Sequence, residues 1–411
     1  MLGYTTYTSP KVTFKNRENF FYFSSDLIFY AAILWPFLAQ IIYDVSSINL
    51  LPLTYIFGNY LLIVSIMDGK IFKPLFAIFI TTIFFIISLF VVMVLVQSYD
   101  ISNIIKLLSS LGIASYFIKF SIPNFKTFAI ASSIIVFTIF YILRIATGNV
   151  SGNSGIGFSY HDAGLFIIIL WTMLILKNNK EPDLNLNLFF LFLVLLLIGR
   201  TQIVMALFIF LFSLMQINSR QNFRSKFFIF LVAIPVIFTV TFLPSQTIDF
   251  LSNFYFLNDI LSRGINVAVA IDINDSNPYD ENLRLFVWNC YIINFDYLTL
   301  FYGHNDLISE CVKDTWLAAY PDKMQIQYEN SFIRLNQESG FAALFIILLY
   351  FTALALVLIK RDFFLLGLLI LFFARAFTGD IFFFYYKDYI LLILFSYAIY
   401  EKNKVYNTAA I

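Results

Sequence analysis

The sequence predicts an all-α polytopic membrane protein with about twelve transmembrane helices and one large extracytoplasmic loop. Of its 411 residues, 60% are hydrophobic and only 12% are charged, whereas soluble domains average roughly 45–50% apolar and 25% charged residues. The apolar residues form repeated runs, each about long enough to cross a hydrocarbon core, and short basic loops separate them. This composition excludes a water-soluble fold. The net charge of +1 gives no indication of nucleic-acid binding.

Twelve apolar segments are predicted to span the membrane. They cover residues 20–43, 48–67, 74–96, 102–118, 127–144, 162–176, 186–199, 201–216, 227–243, 339–359, 363–378 and 388–400. The chain is thus divided into transmembrane helices 1–9 (residues 1–243), a large periplasmic loop with short interfacial helices (residues 244–338), and transmembrane helices 10–12 with a cytoplasmic tail (residues 339–411). The fourth span is the weakest prediction because it contains Lys106. The segments that flank Arg200 also fit one long interrupted helix.

The basic residues orient these predicted helices. Sixteen of the 26 Lys and Arg residues fall in loops on one side of the predicted spans, whereas the short loops 44–47 and 97–101 on the other side contain none. The positive-inside rule therefore places both termini in the cytoplasm and the large loop outside it. We expect amphipathic stretches of that loop, such as 282–295 and 328–338, to form helices at the membrane interface.

Cys290 and Cys311 are the only two cysteines, and both lie in the large loop. The sequence leaves open whether they form a disulfide or stay as two thiols, because no redox motif or metal-ligand spacing accompanies them. The chain has two histidines, and the loop has no Asp-x-Asp pair. We therefore expect neither a metal site nor a cofactor.

Arginine is concentrated outside the predicted cytoplasmic loops. Six of the ten remaining basic residues are arginines, compared with four of the sixteen in the cytoplasmic set. Arginine is preferred where a planar, permanent cation binds a phosphate or carboxylate through two hydrogen bonds. Arg144, Arg200 and Arg375 lie at the predicted bilayer boundary, where a cation is costly without a polar cavity or a partner. We expect a lipid-linked phosphate or diphosphate there. The alternatives are snorkelling of Arg144, snorkelling of Arg200 or its pairing with Asp162, and pairing of Arg375 with Asp380.

A polar segment, residues 328–340, leads directly into the tenth predicted span. Glu329 is a candidate general base for a sugar hydroxyl. Asn330 is a candidate for positioning the sugar, and Arg334 is a candidate for binding phosphate. The alternative is an interfacial helix stabilised by internal ion pairs, since Arg334 lies one helical turn from Glu338.

Three short motifs carry a family resemblance. They are Gly199-Arg200-Thr201-Gln202 between two spans, Arg284-Leu285-Phe286-Val287-Trp288 followed by Gly303, and Glu329-Asn330-Ser331-Phe332 with Gly340 opening the next helix. From about residue 140 onward the chain resembles the O-antigen polymerase and O-antigen ligase superfamily of bacterial envelope glycosyltransferases. Ligases commonly carry histidine where this chain has Glu329, and this difference favours a polymerase.

The resemblance implies a GT-C-like architecture and a metal-independent, inverting glycosyl transfer at the periplasmic face of the inner membrane. The implied partners are undecaprenyl-diphosphate-linked oligosaccharides, membrane lipids and a chain-length regulator. Arg200 and Arg284 would bind the diphosphate with support from Arg144, Arg334 and Arg375. An O-antigen ligase that transfers polymer to the lipid A core is the alternative. A flippase is disfavoured by the long outer loop and by the lack of internal repeats.

Overall fold

The computed structural model describes residues 20–46, 48–67, 73–96, 102–147, 160–177, 183–197, 200–217, 288–303, 306–319, 330–377 and 389–400. All regular secondary structure in these ranges is helical. The described helices of the first half are α1 (Phe20–Ser46), α2 (Pro52–Met67), α3 (Lys73–Val96), α4 (Ser102–Lys119), α5 (Phe125–Thr147), α6 (Tyr160–Lys177), α7 (Leu184–Leu197) and α8 (Arg200–Ile217).

In the described part of the second half, three helices belong to the predicted large loop, and they are α9 (residues 288–294), α10 (Tyr297–Tyr302) and α11 (Asp306–Ala319). The polar helix α12 (Ser331–Ser339) follows, and a single 3-10 turn (Gly340–Ala342) joins it to α13 (Ala343–Lys360). The last helices are α14 (Phe363–Phe377) and α15 (Tyr389–Tyr400).

Eleven of the twelve predicted spans coincide with helices, and most of the boundaries agree within about four residues. The remaining predicted span, 227–243, lies outside the described residues. Within the described ranges, three helical segments are long and apolar enough to cross a membrane, namely 24–43, 125–143 and 331–360. Helix α7 ends at Leu197 and α8 begins at Arg200, and the two helices pack against each other.

Helix α6 forms the centre of the bundle. Every side chain from Ala163 to Leu176 is buried. Trp171, which is fully buried, donates from Nε1 to Oδ1 of Asn187 on α7 at 2.7 Å and stacks on Phe190 at a centroid separation of 6.0 Å. The indole can be buried here because its single N–H donor has an acceptor on the neighbouring helix.

Helices α2 and α4 pack closely through small residues. A Cβ on Gly112 would lie 2.8 Å from the backbone nitrogen of Leu62, and a Cβ on Gly58 would lie 2.6 Å from the carbonyl oxygen of Ser109. Ser109 Oγ also donates to the carbonyl oxygen of Thr54 at 3.3 Å. Small residues let two helix backbones approach closely, which is a common way of joining helices in membranes.

Lysine side chains connect helix ends at one end of the bundle. Lys119 Nζ donates to the carbonyl oxygen of Ser65 at 2.7 Å, and Lys177 Nζ donates to those of Phe117 and Phe120, each at 2.6 Å. Lys360 donates to the carbonyl oxygen of Ala398 in the same way. These oxygens lie at or just after the C-terminal ends of α2, α4 and α15, where a cation interacts favourably with the helix dipole. All three lysines belong to the set predicted to face the cytoplasm.

Candidate functional site

The polar helix α12 is the starting point of the candidate site because most of it is buried. Ser331, Asn336, Gln337 and Ser339 are all less than 9% exposed. Burying polar side chains is costly unless they are hydrogen-bonded, so such a dense buried set indicates specific partners. The helix packs against α10, α13 and α14.

Asn330 starts this helix. Its backbone is extended (φ −154°, ψ 116°), and its Oδ1 accepts hydrogen bonds from the backbone nitrogens of Phe332 at 2.8 Å and Ile333 at 3.1 Å. This is an N-cap, which satisfies backbone donors that the first turn of a helix leaves without partners. Asn330, expected to position a sugar, therefore already uses its side-chain oxygen to cap α12.

Gly340 ends the helix and lies directly against Gly303 at the end of α10. Both glycines have positive φ angles, +54° at Gly340 and +84° at Gly303, which L-residues with a side chain rarely adopt. A Cβ on Gly340 would lie 2.9 Å from the carbonyl carbon of Tyr302. Gln337 Nε2 donates to the carbonyl oxygen of Gly303 at 3.0 Å, which ties the two segments together.

A chain of hydrogen bonds joins α12 to α4. Arg334 Nε donates to Oε1 of Glu338 at 2.6 Å, within one turn of α12. Asn103 Nδ2 on α4 donates to Oε2 of the same carboxylate at 3.2 Å, and Lys106 Nζ donates to Oδ1 of Asn103 at 3.2 Å. The ion pair between Arg334 and Glu338, which the sequence offered as the alternative to a binding site in residues 328–340, is therefore present. Asn103 connects this pair to α4.

The loop helices α9 and α11 are joined by a disulfide. The sulfur atoms of Cys290 and Cys311 are 2.06 Å apart. This resolves the alternative that the sequence left open. The disulfide lies in a small hydrophobic cluster with Ile308, Val312 and Ile333, so it also holds the loop helices against α12.

Tyr291 makes a second connection between the loop helices and α12. Its hydroxyl donates to Oδ1 of Asn336 at 3.0 Å. Burial raises the pKa of Tyr291 to about 12, because loss of hydration disfavours the charged phenolate more than the neutral phenol. The hydroxyl is therefore a donor at physiological pH.

Arg375 lies in the last turn of α14, and its side chain is only 8% exposed. The same part of α14 contacts the start of α12, where the rings of Phe332 and Phe373 meet edge to face with centroids 4.9 Å apart. A narrow apolar crevice lies between this part of α14 and its neighbours and is lined by residues that include Phe332, Tyr350 and Ala376.

Contacts between helices show at which end of the bundle the helix ends that carry the other arginines lie. Asn103, at the start of α4, contacts α12, whereas Lys177, at the end of α6, contacts the opposite end of α4. Helix α6 therefore starts at the α12 end of the bundle. A Cβ on Gly164, near the start of α6, would lie 2.8 Å from Cγ of Gln202, near the start of α8. Helix α8, which begins at Arg200, therefore also starts at the α12 end of the bundle.

Arg144 is placed by a similar contact. Tyr141 Oη donates to the carbonyl oxygen of Leu196 at 2.6 Å, which brings the end of α5 to the end of α7. Arg144 follows Tyr141 by three positions in the chain, and Arg200 follows Leu196 by four. The structure therefore brings the backbones of Arg144 and Arg200 to the end of the bundle that carries Arg334 and Arg375.

Other predicted site residues fall outside the described part of the chain. These are Glu329 and Arg284, together with the side chains of Arg144 and Arg200. Among the described residues, no group of three or more His, Cys, Asp or Glu side chains is arranged to hold a metal ion.

Sequence reasoning did not assign Asn103, Lys106, Tyr291 or Glu338 to the site. Lys106 gave the clearest signal, because an ionisable residue within a predicted span is by default a functional candidate. In the sequence alone, this lysine only weakens the prediction of the fourth span. Glu338, the partner of Asn103, lies 235 residues away in the chain, and no local pattern identifies it.

Comparison with known proteins gives no relative for this chain: no protein-family model matches it, and searches of curated proteins and of solved structures return no significant match.

Proposed function

We propose that the protein is a glycosyltransferase that polymerises a bacterial surface polysaccharide. It would join undecaprenyl-diphosphate-linked repeat units at the periplasmic face of the inner membrane, as an O-antigen polymerase does. One observation carries the proposal: the helix ends that bear Arg144, Arg200 and Arg375 lie at the same end of the bundle as the buried polar helix α12, which carries Arg334. Several guanidinium groups at one membrane boundary suit a lipid-linked diphosphate.

The proposal includes a twelve-span topology with both termini in the cytoplasm. Lysine-connected helix ends at one end of the bundle support this orientation through the positive-inside rule. The Cys290–Cys311 disulfide supports it independently, because disulfides persist in the periplasm and are rare in the cytosol. The disulfide lies in the segment that packs on α12, and α12 contacts the opposite end of α4 from Lys177.

In the proposed reaction, a terminal sugar hydroxyl of the acceptor attacks the anomeric carbon of the donor. The new carbon–oxygen bond forms as the bond from the anomeric carbon to the diphosphate oxygen breaks, with inversion. Glu329 takes the hydroxyl proton, and undecaprenyl diphosphate leaves with the bonding electron pair. Because negative charge grows on the leaving diphosphate, fixed arginines stabilise the transition state more than the ground state.

The residues of this site have separate roles. Arg200 and Arg284 are the main diphosphate ligands, and Arg144, Arg334 and Arg375 support them. Asn330 uses Oδ1 for the N-cap, so its contact with a sugar would use the Nδ2 donors.

The lipopolysaccharide ladder of bacterial cells tests this proposal. Variants Arg200→Ala, Arg284→Ala and Glu329→Gln should insert normally and give short chains. Lys126→Ala is a matched control, because Lys126 pairs with Asp183 on the exposed surface at the other end of α5 and should leave the ladder unchanged. Long chains of normal length in all three site variants would refute the site assignment.

A deletion strain separates the candidate functions. A polymerase deletion should leave single repeat units attached to the lipid A core. A ligase deletion should leave polymer on the carrier with none attached. A flippase deletion should leave single repeat units on the carrier, on its cytoplasmic side.

A further inference from the structure

The hydrogen-bond chain between α4 and α12 ends in a lysine that the proposed function does not yet use. Lys106 is the fifth residue of α4, within a helix predicted to lie in the bilayer, and its ammonium group donates to Oδ1 of Asn103 at 3.2 Å. Within the described ranges, no carboxylate oxygen lies within 4.0 Å of Lys106 Nζ. The cation is therefore held by a neutral amide.

The orientation of the Asn103 amide follows from this contact. An ammonium group only donates, so Asn103 must present its oxygen to Lys106. Its nitrogen then faces Glu338 and donates to Oε2 at 3.2 Å. Asn103 is only 6% exposed, so its amide has little freedom to turn over.

Glu338 in turn forms an ion pair with Arg334. Its Oε1 accepts from the Nε edge of the guanidinium at 2.6 Å, while Oε2 is held by Asn103. A carboxylate fixed at both oxygens holds an arginine in one orientation more firmly than an exposed i,i+4 pair would. The arginine and glutamate side chains are 19% and 26% exposed, so the pair is largely shielded from solvent.

Taken with the proposed function, on which this inference rests, we propose that Lys106 is a further cation of the diphosphate site and that Asn103 and Glu338 are positioning residues for Lys106 and Arg334. A cation at membrane depth is costly unless it faces a polar cavity or an anion. Lys106 lies at the same end of the bundle as the arginine-bearing helix ends, and an ammonium group has three donors, of which Asn103 accepts one. A phosphate oxygen is the partner that suits the other two.

Binding of inorganic pyrophosphate to the purified full chain tests this site. The chain is placed in phosphatidylcholine nanodiscs, and pyrophosphate is titrated in a calorimeter. Lys106→Met should weaken binding roughly 10- to 100-fold, the factor expected for the loss of a hydrogen bond to a charged group. Lys106→Arg should restore most of the affinity. Lys119→Met, in the same helix but at the opposite end, should leave the affinity unchanged.

Glu338→Gln separates positioning from simple charge. Removal of a carboxylate beside the site should strengthen anion binding if only net charge matters. If Glu338 orients Arg334, binding should weaken even though a repelling charge has been removed. Asn103→Leu should also weaken binding. Tighter binding by the Glu338→Gln variant would overturn the positioning role.

Two further results would overturn the proposal. One is a Lys106→Met variant that binds pyrophosphate as tightly as the wild type. The other is displacement of pyrophosphate by an equal concentration of glycerophosphoglycerol, because the site would then hold ordinary phospholipid headgroups. The titration does not depend on the polymer reaction. If deletion of the protein leaves the polysaccharide ladder unchanged, the proposed function is wrong, but the titration still shows whether Lys106 binds pyrophosphate.

Discussion

A Cβ on Gly303 would lie 2.6 Å from the backbone nitrogen of Gly340. The two residues are 37 positions apart, and both have a positive φ. They join the end of α10 to the break between α12 and α13. The placement of the polar helix therefore depends on two positions without side chains.

We predict that Gly340→Ala and Gly303→Ala each destabilise the protein by about 2 kcal/mol or more, because each adds backbone strain to a backbone clash. Thermal unfolding in detergent would measure this. Ile292→Ala is a suitable control, because Ile292 is 66% exposed on the neighbouring helix α9 and its truncation leaves both glycines unchanged. Equal losses in all three variants would contradict this explanation.

The disulfide leads to a second prediction. Cys290→Ser should lower the free energy of unfolding by about 3 kcal/mol, since the bond closes a loop with a sequence separation of 21 residues. Cys311→Ser and the double variant should show the same loss. Maleimide-polyethylene glycol should label the denatured wild-type chain only after reduction. Labelling of wild-type chain without reduction would show that the bond is absent in the cell.

The contact between α2 and α4 leads to a third prediction. Gly112→Leu should destabilise the bundle by about 3 kcal/mol or more, since the added side chain meets the backbone of α2. Ile105→Ala, at a 43% exposed position of the same helix, should have a much smaller effect. Thermal unfolding of the two variants in the same detergent provides the comparison. Similar losses in both would show that the glycine contact is not what joins the helices.

Tyr291 gives a prediction about pH. Its pKa is about 12 in the folded protein and 10.0 in the reference state, so the unfolded chain loses this proton first as pH rises. Its contribution to stability is complete below about pH 10 and declines as the pH rises to about 12. The thermal midpoint of the wild type should therefore fall more steeply across this interval than that of Tyr291→Phe. Parallel profiles would show that Tyr291 is not the group responsible.

The sequence predicted the helices well because their signals are local. Runs of apolar residues and basic loops placed eleven predicted spans on helices, and Gly340 was identified as the start of a new segment. The capping role of Asn330 also had a local signal, since an asparagine before a helix is a common N-cap, but its neighbour Glu329 drew attention to chemistry instead.

The connections within the candidate site could not be predicted in the same way. Asn103 and Glu338 are 235 residues apart, and Tyr291 and Asn336 are 45 residues apart. Which polar side chain meets which is decided by helix packing, and packing depends on contacts such as that of Gly58 with Ser109. Without related sequences, a single chain shows only that Lys106 and Glu338 need partners.

In the proposed topology, the break at Gly340 fits the chain to the thickness of the membrane. Residues 331–360 are helical almost throughout, and as one straight rod they would measure about 45 Å at 1.5 Å per residue. A hydrocarbon core is only about 30 Å thick. Helix α13 alone measures about 27 Å and matches that thickness, so a break at Gly340 would leave the polar helix α12 beside the lipid headgroups.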